Sequence, residues 1–141
     1  MHTEHLQNVR PTGVLVGWFV SVAVVSFIAL VLGATGILDP ESGGSGGLWG
    51  VLAIAVGFGI GGWFVGARLG VAPILHAVAI GFVSVLLWFF ANLLAGETVA
   101  RSAWVSGSET YYAGLLLLQI VAAAVGGRIG SRAKRQASAG I

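Results

Sequence analysis

The charged residues of this chain stand in clusters, and the long gaps between those clusters constrain what it can fold into. Charge-free stretches run from Pro11 to Leu38, from Ser42 to Ala67, from Leu69 to Gly96 and from Thr110 to Gly127. A helix rises about 1.5 Å per residue, so about 20 apolar residues cover the ~30 Å hydrocarbon core of a bilayer. The first three gaps exceed that length, and the fourth reaches it if Arg128 extends its long stem toward the boundary. Trimming the turn formers predicts helices over 13–36, 48–69, 74–95 and 111–130, with a basic tail over 131–141. Composition agrees: 57% of residues are hydrophobic and 9% charged, against about 25% charged in an ordinary soluble domain. Too little polar surface is left to cover a sphere in water. The fold class this implies is all-α, a polytopic membrane protein with four transmembrane helices in one domain spanning 1–141.

Orientation follows from where the cations fall, because positive loops stay cytoplasmic. With four crossings, Arg10, Arg68, Arg128, Arg132, Lys134 and Arg135 share one side and only Arg101 lies on the other, with Asp39, Glu41, Glu97 and Glu109. Both termini are therefore expected to be cytoplasmic, and the address a plasma (inner) membrane. A cleavable signal is disfavoured, since the apolar run from Val14 outlasts an h-region of about 7 to 15 residues. Asp39 to Gly47 is a flexible linker by composition, and Gly70-Val71-Ala72-Pro73 is a short turn between adjacent antiparallel helices. Glu97 to Glu109 reads as a short interfacial helix, supported by Glu97 and Arg101 at i,i+4. The basic tail is suited to anionic headgroups, and Arg68, His76, Arg128 and Arg132 are the expected anchors on that face.

Chemistry is sparse. Zero cysteines exclude disulfides and thiolate chemistry, and seven scattered Lys and Arg form no nucleic-acid-binding stripe. No nucleophile elbow, phosphate loop or His-Glu-x-x-His motif occurs, and the spacing of His2, His5 and His76 compels no metal site. No ionisable residue falls at mid-depth, where one would be the strongest pointer to function. The acidic residue that small multidrug transporters need in their first helix is absent. The expectation is therefore no enzyme, no cofactor and no metal. Ser84, Asn92 and Gln119 are the candidate polar contacts between helices, or the lining of a polar path. Trp18, Trp49, Trp104, Tyr111 and Tyr112 fall near helix ends as an aromatic belt, whereas Trp63 and Trp88 lie further in.

Small residues recur every four positions. Ala53, Gly57 and Gly61 form one row on the second helix, Gly62, Gly66 and Gly70 another, and Ala122, Gly126 and Gly130 a third on the fourth helix. Lipid gives helices no hydrophobic reason to associate, so close backbone approach along such rows must supply the attraction. Two rows on the second helix imply two neighbours and a central place. A shift of 64 residues lays Gly62 to Arg68 over Gly126 to Arg132, matching Gly-x-x-x-Gly-small-Arg. Helices one and two would then repeat as three and four, related about the membrane normal. The segment Gly61-Gly62-Trp63-Phe64-Val65-Gly66-Ala67-Arg68-Leu69-Gly70, with Leu75-His76 and Gly81 after it, resembles the small glycine-rich four-helix membrane proteins of prokaryotes, whose function is unknown. The resemblance implies their fold and a plasma-membrane address, and it brings no catalytic residue. The function expected is that of an accessory or assembly subunit in the lipid bilayer, packing through its glycine faces as a homo-oligomer or within a larger membrane complex. The alternative is a small homo-oligomeric transporter or channel. A reporter fused after Ile141 should read out in the cytoplasm, and an externally active reporter at that position would overturn the orientation.

Overall fold

Four helices form in the computed structural model: α1 (Pro11–Ala34), α2 (Gly46–Leu69), α3 (Pro73–Trp104) and α4 (Glu109–Ala139). The structure describes residues 9–37, 46–104 and 109–140, without the side chains of 46, 88, 91–92, 95–104 and 109–112. Most of the Asp39 to Gly47 linker lies outside the described residues. Helices α1 and α2 are each long and apolar enough to cross a membrane, as is the stretch Ala113–Ala139 of α4, while α3 contributes a shorter apolar stretch, Pro73–Leu87.

Local chemistry sets the helix ends. Pro11 opens α1 at a position where its missing N–H costs nothing. After α1 the chain turns at Gly36 (φ 74°), whose N–H donates to the Gly33 carbonyl at 3.1 Å. Gly70 (φ 70°) ends α2 in the same left-handed way, its N–H donating to the Gly66 carbonyl at 2.9 Å. Pro73 then starts α3. Between them Ala72 is buried with φ 44°, a strained setting for a residue with a Cβ.

Two helices outrun their predicted ends. The interfacial helix expected at Glu97 to Glu109 is not a separate element, because residues 97–104 continue α3. Past Gly96 no proline or glycine intervenes before Gly107, so nothing stops the helix at 95. Likewise α4 carries on through 131–139, a stretch in which Ala133, Lys134, Arg135, Gln136 and Ala137 are all good helix formers.

The helices alternate in direction and close a ring in the order α1, α2, α4, α3, with α2 against α4 as its largest contact. Gly17 and Ser21 of α1 meet Gly61 of α2, and Val25 meets Gly57 further along, so these two helices run antiparallel. Helices α2 and α4 run parallel and touch backbone to backbone. A Cβ on Gly62 would fall on the Ala123 carbonyl, and one on Gly66 on the Gly127 carbonyl. Reciprocally, a Cβ on Gly126 would fall on the Gly59 carbonyl, and one on Gly130 on the Trp63 carbonyl. Each contact maps onto its partner under the 64-residue shift, the signature of a self-complementary interface. Val14, Phe58, Val65, Ala77, Ile80 and Ala123 form the buried cluster, drawn from all four helices. It lies toward the end where α1 begins and α2 finishes. Gly33, Gly36, Gly47, Gly50 and Gly114, near the other end, have open space around them.

This arrangement predicts opposite outcomes for one chemical change. Gly66→Ala should destabilise the fold by about 1–3 kcal/mol, because its methyl must force two backbones apart. Gly50→Ala should stabilise it by up to about 1 kcal/mol through helix propensity alone. Unfolding in detergent checks both, and a Gly66→Ala protein as stable as Gly50→Ala would refute the packing.

Candidate functional site

The polar chemistry gathers at the packed end, where Arg10, the turn at Gly70, the start of α3 and the last third of α4 come together. His76, one turn into α3, is 1% exposed. Its Nε2 lies 3.2 Å from the backbone nitrogen of Arg10, and its Nδ1 2.9 Å from the Ala72 carbonyl. The Arg10 amide can only donate, so Nε2 accepts; the ring is therefore neutral, with its proton on Nδ1 donated to Ala72. A single imidazole thus joins the start of α1 to the left-handed residue before Pro73. It is a buried tie rather than a surface anchor.

About two helical turns deeper, the indole Nε1 of Trp18 donates to Ser84 Oγ at 3.0 Å, and that hydroxyl lies 3.4 Å from the Ile80 carbonyl. Trp18, which the sequence suggests for an aromatic belt, bridges α1 to α3. Ser21, fully buried, donates to the Gly17 carbonyl at 2.8 Å and fills the space Gly61 leaves. Gln119 differs from these: its Oε1 is buried without a hydrogen-bond partner, and no hydrogen bond links it to Ser84 among the described residues. The Asn92 side chain lies outside the described residues. Trp63, Phe89 and Phe90 are exposed apolar groups, while the side chains of Trp88, Trp104, Tyr111 and Tyr112 are not among those described.

The cations divide by role. Lys134 Nζ donates to the carbonyls of Arg68 at 2.7 Å and Leu69 at 3.2 Å. It therefore caps α2 across the α2–α4 contact, placing a positive charge where the last carbonyls concentrate negative potential. Sequence reasoning gave Lys134 only a place in the tail. No local pattern marks a cap that comes from 66 residues away. Arg128 and Arg132 are exposed on α4, and the Arg128 carbonyl accepts from the buried Ser131 hydroxyl at 2.9 Å. The Arg68 guanidinium sits 5.9 Å from the centre of the Phe64 ring, within cation–π range.

Concavities open on the surface between the helices. One, of about 310 Å³, lies between the start of α1 and the end of α2, with Arg10 and Arg68 among its lining beside Thr12, Gly13, Phe64 and Val65. Another, of about 450 Å³, is a groove between α2 and α4 lined by apolar groups such as Ile60, Trp63, Val125 and Ile129. Among the described residues no three His, Cys, Asp or Glu gather to hold a metal; His2 and His5 lie outside them.

The glycine rows face inward. Gly57 and Gly61 lie against α1, Gly62 and Gly66 against α4, Gly126 and Gly130 against α2, and Gly70 under the Lys134 side chain. Ala53 is buried and Ala122 half-buried. In comparison with known proteins, no family model, no curated protein and no solved structure matches the chain.

Removing the imidazole tests its place in the structure. His76→Phe strands the Arg10 amide and should cost about 1–3 kcal/mol, the penalty for an unsatisfied buried donor. Ser84→Ala should cost nearer 0.6 kcal/mol, the average for a hydrogen bond between membrane helices. Unfolding of both variants in one detergent gives the comparison, and equal losses would contradict it.

Proposed function

We propose that the chain is a non-enzymatic multi-pass protein of the plasma (inner) membrane, with four crossings and both termini cytoplasmic, acting as an accessory or assembly subunit. One observation carries this reading: α2 and α4 meet backbone to backbone along their glycines, which leaves the middle of a single chain without a lumen. The interior polar groups support it as well. Ser21, Ser84 and His76 are each engaged by backbone or by another helix, so they stabilise structure and offer little to a substrate. Because the glycine rows are occupied within the chain, the surface left for association is the exposed apolar one, including Phe27, Leu30, Leu48, Leu52 and Leu117. The reciprocal contacts at a 64-residue shift favour an origin of α1–α2 and α3–α4 in one repeated pair.

A homo-oligomeric transporter or channel is the second reading, and the unpartnered Gln119 Oε1 is what favours it. Mass spectrometry of the assembly from native nanodiscs, purified through a C-terminal tag, tests both. Association with further copies or with a stoichiometric foreign protein is the expected result; a lone 14.4 kDa chain would overturn the assembly role. Ion or solute flux in liposomes that disappears in a still-folded Gln119→Leu protein would instead establish the second reading.

A further inference from the structure

The cleft between the start of α1 and the end of α2 brings together groups that lie apart in sequence. Arg10 precedes the first turn of α1 and Arg68 occupies the last turn of α2, yet both line one cavity of about 310 Å³. Below them the walls are apolar, formed by Val16, Phe64 and Val65. Two guanidiniums over an apolar slot suit a ligand with an anionic head and a hydrocarbon body. Arg is the side chain best matched to phosphate oxygens, which its planar fork engages in pairs. The volume lies at the lower bound of small-molecule sites, about 300 Å³, enough for a head and the root of a chain.

Two features make the cleft receptive to an anion. Arg68 rests over the Phe64 ring, which steadies it against the cleft wall. The carbonyl end of α2 would repel an anion, but Lys134 caps the Arg68 and Leu69 carbonyls from the far side. Its ammonium offsets the negative end of the helix while the Arg68 side chain lines the cleft. The geometry points to a binding site for one anionic phospholipid, its phosphodiester between Arg10 and Arg68 and an acyl chain along Val16, Phe64 and Val65. This site rests on the proposed reading that the Arg10 end of the bundle lies at the cytoplasmic surface of the bilayer.

The test uses the full chain in phosphatidylcholine nanodiscs holding a minor fraction of phosphatidylglycerol, with bound lipid counted by native mass spectrometry. Wild type should retain one phosphatidylglycerol. The Arg10→Gln, Arg68→Gln double variant should bind it roughly 30-fold more weakly, since each cation near an anionic surface contributes about 1 kcal/mol. The changes spare the Arg10 amide held by His76 and the Arg68 carbonyl held by Lys134, and an unchanged melting temperature checks that the fold survives. An Arg128→Gln, Arg132→Gln double variant carries the same charge change outside the cleft and should keep its lipid. Equal loss in both double variants would overturn the site in favour of diffuse surface charge. Retention of phosphatidylcholine as firmly as phosphatidylglycerol would leave only an apolar groove, and displacement by millimolar inorganic phosphate would identify a free-phosphate site; either result refutes the proposal. Lipid adducts and protein stoichiometry are separate readings of one spectrum, and alkaline extraction scores membrane insertion independently. Failure of the lipid site is therefore distinct from failure of the proposed function.

Discussion

The parallel contact between α2 and α4 is the constraint from which the remaining packing follows. In hydrocarbon a leucine gains nothing by leaving lipid for a neighbouring helix, so association depends on dispersion and weak polar contacts that become appreciable only when backbones nearly touch. Glycine permits that distance. At Gly62, Gly66, Gly126 and Gly130 even a methyl group would overlap a carbonyl of the facing helix. The cost of such glycines in helix propensity, about 1 kcal/mol each relative to alanine, is offset by contact along both backbones. Once α2 and α4 are in register, α1 has a second glycine face, at Gly57 and Gly61, on which to lie.

Polar groups inside the bundle act locally. Ser21 returns its proton to its own helix, and Trp18 and Ser84 satisfy one another across two helices. His76 has both ring nitrogens engaged by backbone atoms, the Arg10 amide and the Ala72 carbonyl. These contacts contribute little individually in a membrane, but an unpaired group there costs much more. Their main effect is therefore on register: a slip of α3 along α1 by one turn would break the imidazole and indole bonds together. The exception, Gln119 Oε1, stands out against this economy.

How much of this was legible in the sequence varies by physical scale. Helix existence and the turns at Gly36, Gly70 and Pro73 were readable because they depend on local residue chemistry and on apolar length. The continuation of α3 and α4 past their predicted ends was missed because the polar residues that follow each apolar stretch were read as a separate interfacial helix after α3 and as a tail after α4, although most of them favour helix. The small-residue rows were visible as periodicity, but periodicity does not name a partner. Nothing in Gly62 or Gly66 distinguishes another helix of the same chain from a second molecule. The bonds from Arg10 to His76, Trp18 to Ser84 and Lys134 to Arg68 each join residues 66 positions apart. They depend on how whole helices rotate against each other, which no short window of sequence encodes.

The departures from the 64-residue match explain why the bundle is a closed ring and not two equivalent hairpins about a two-fold axis. At the positions of α4 that correspond to Gly57 and Gly61, the chain has Val121 and Val125, which are exposed. Two β-branched side chains there would hold a facing helix away, so α3 cannot sit on α4 as α1 sits on α2. It lies instead against a neighbouring face of α4, with Gly81 on Ile120 and Pro73 beside Gly127. That displacement carries α3 round toward α1 until Ser84 meets Trp18 and His76 meets the amide of Arg10. Val121 and Val125, where α2 has glycines, are thus what leave α1 and α3 placed to bond to each other, while the α2–α4 contact, with glycines on both helices, is self-complementary.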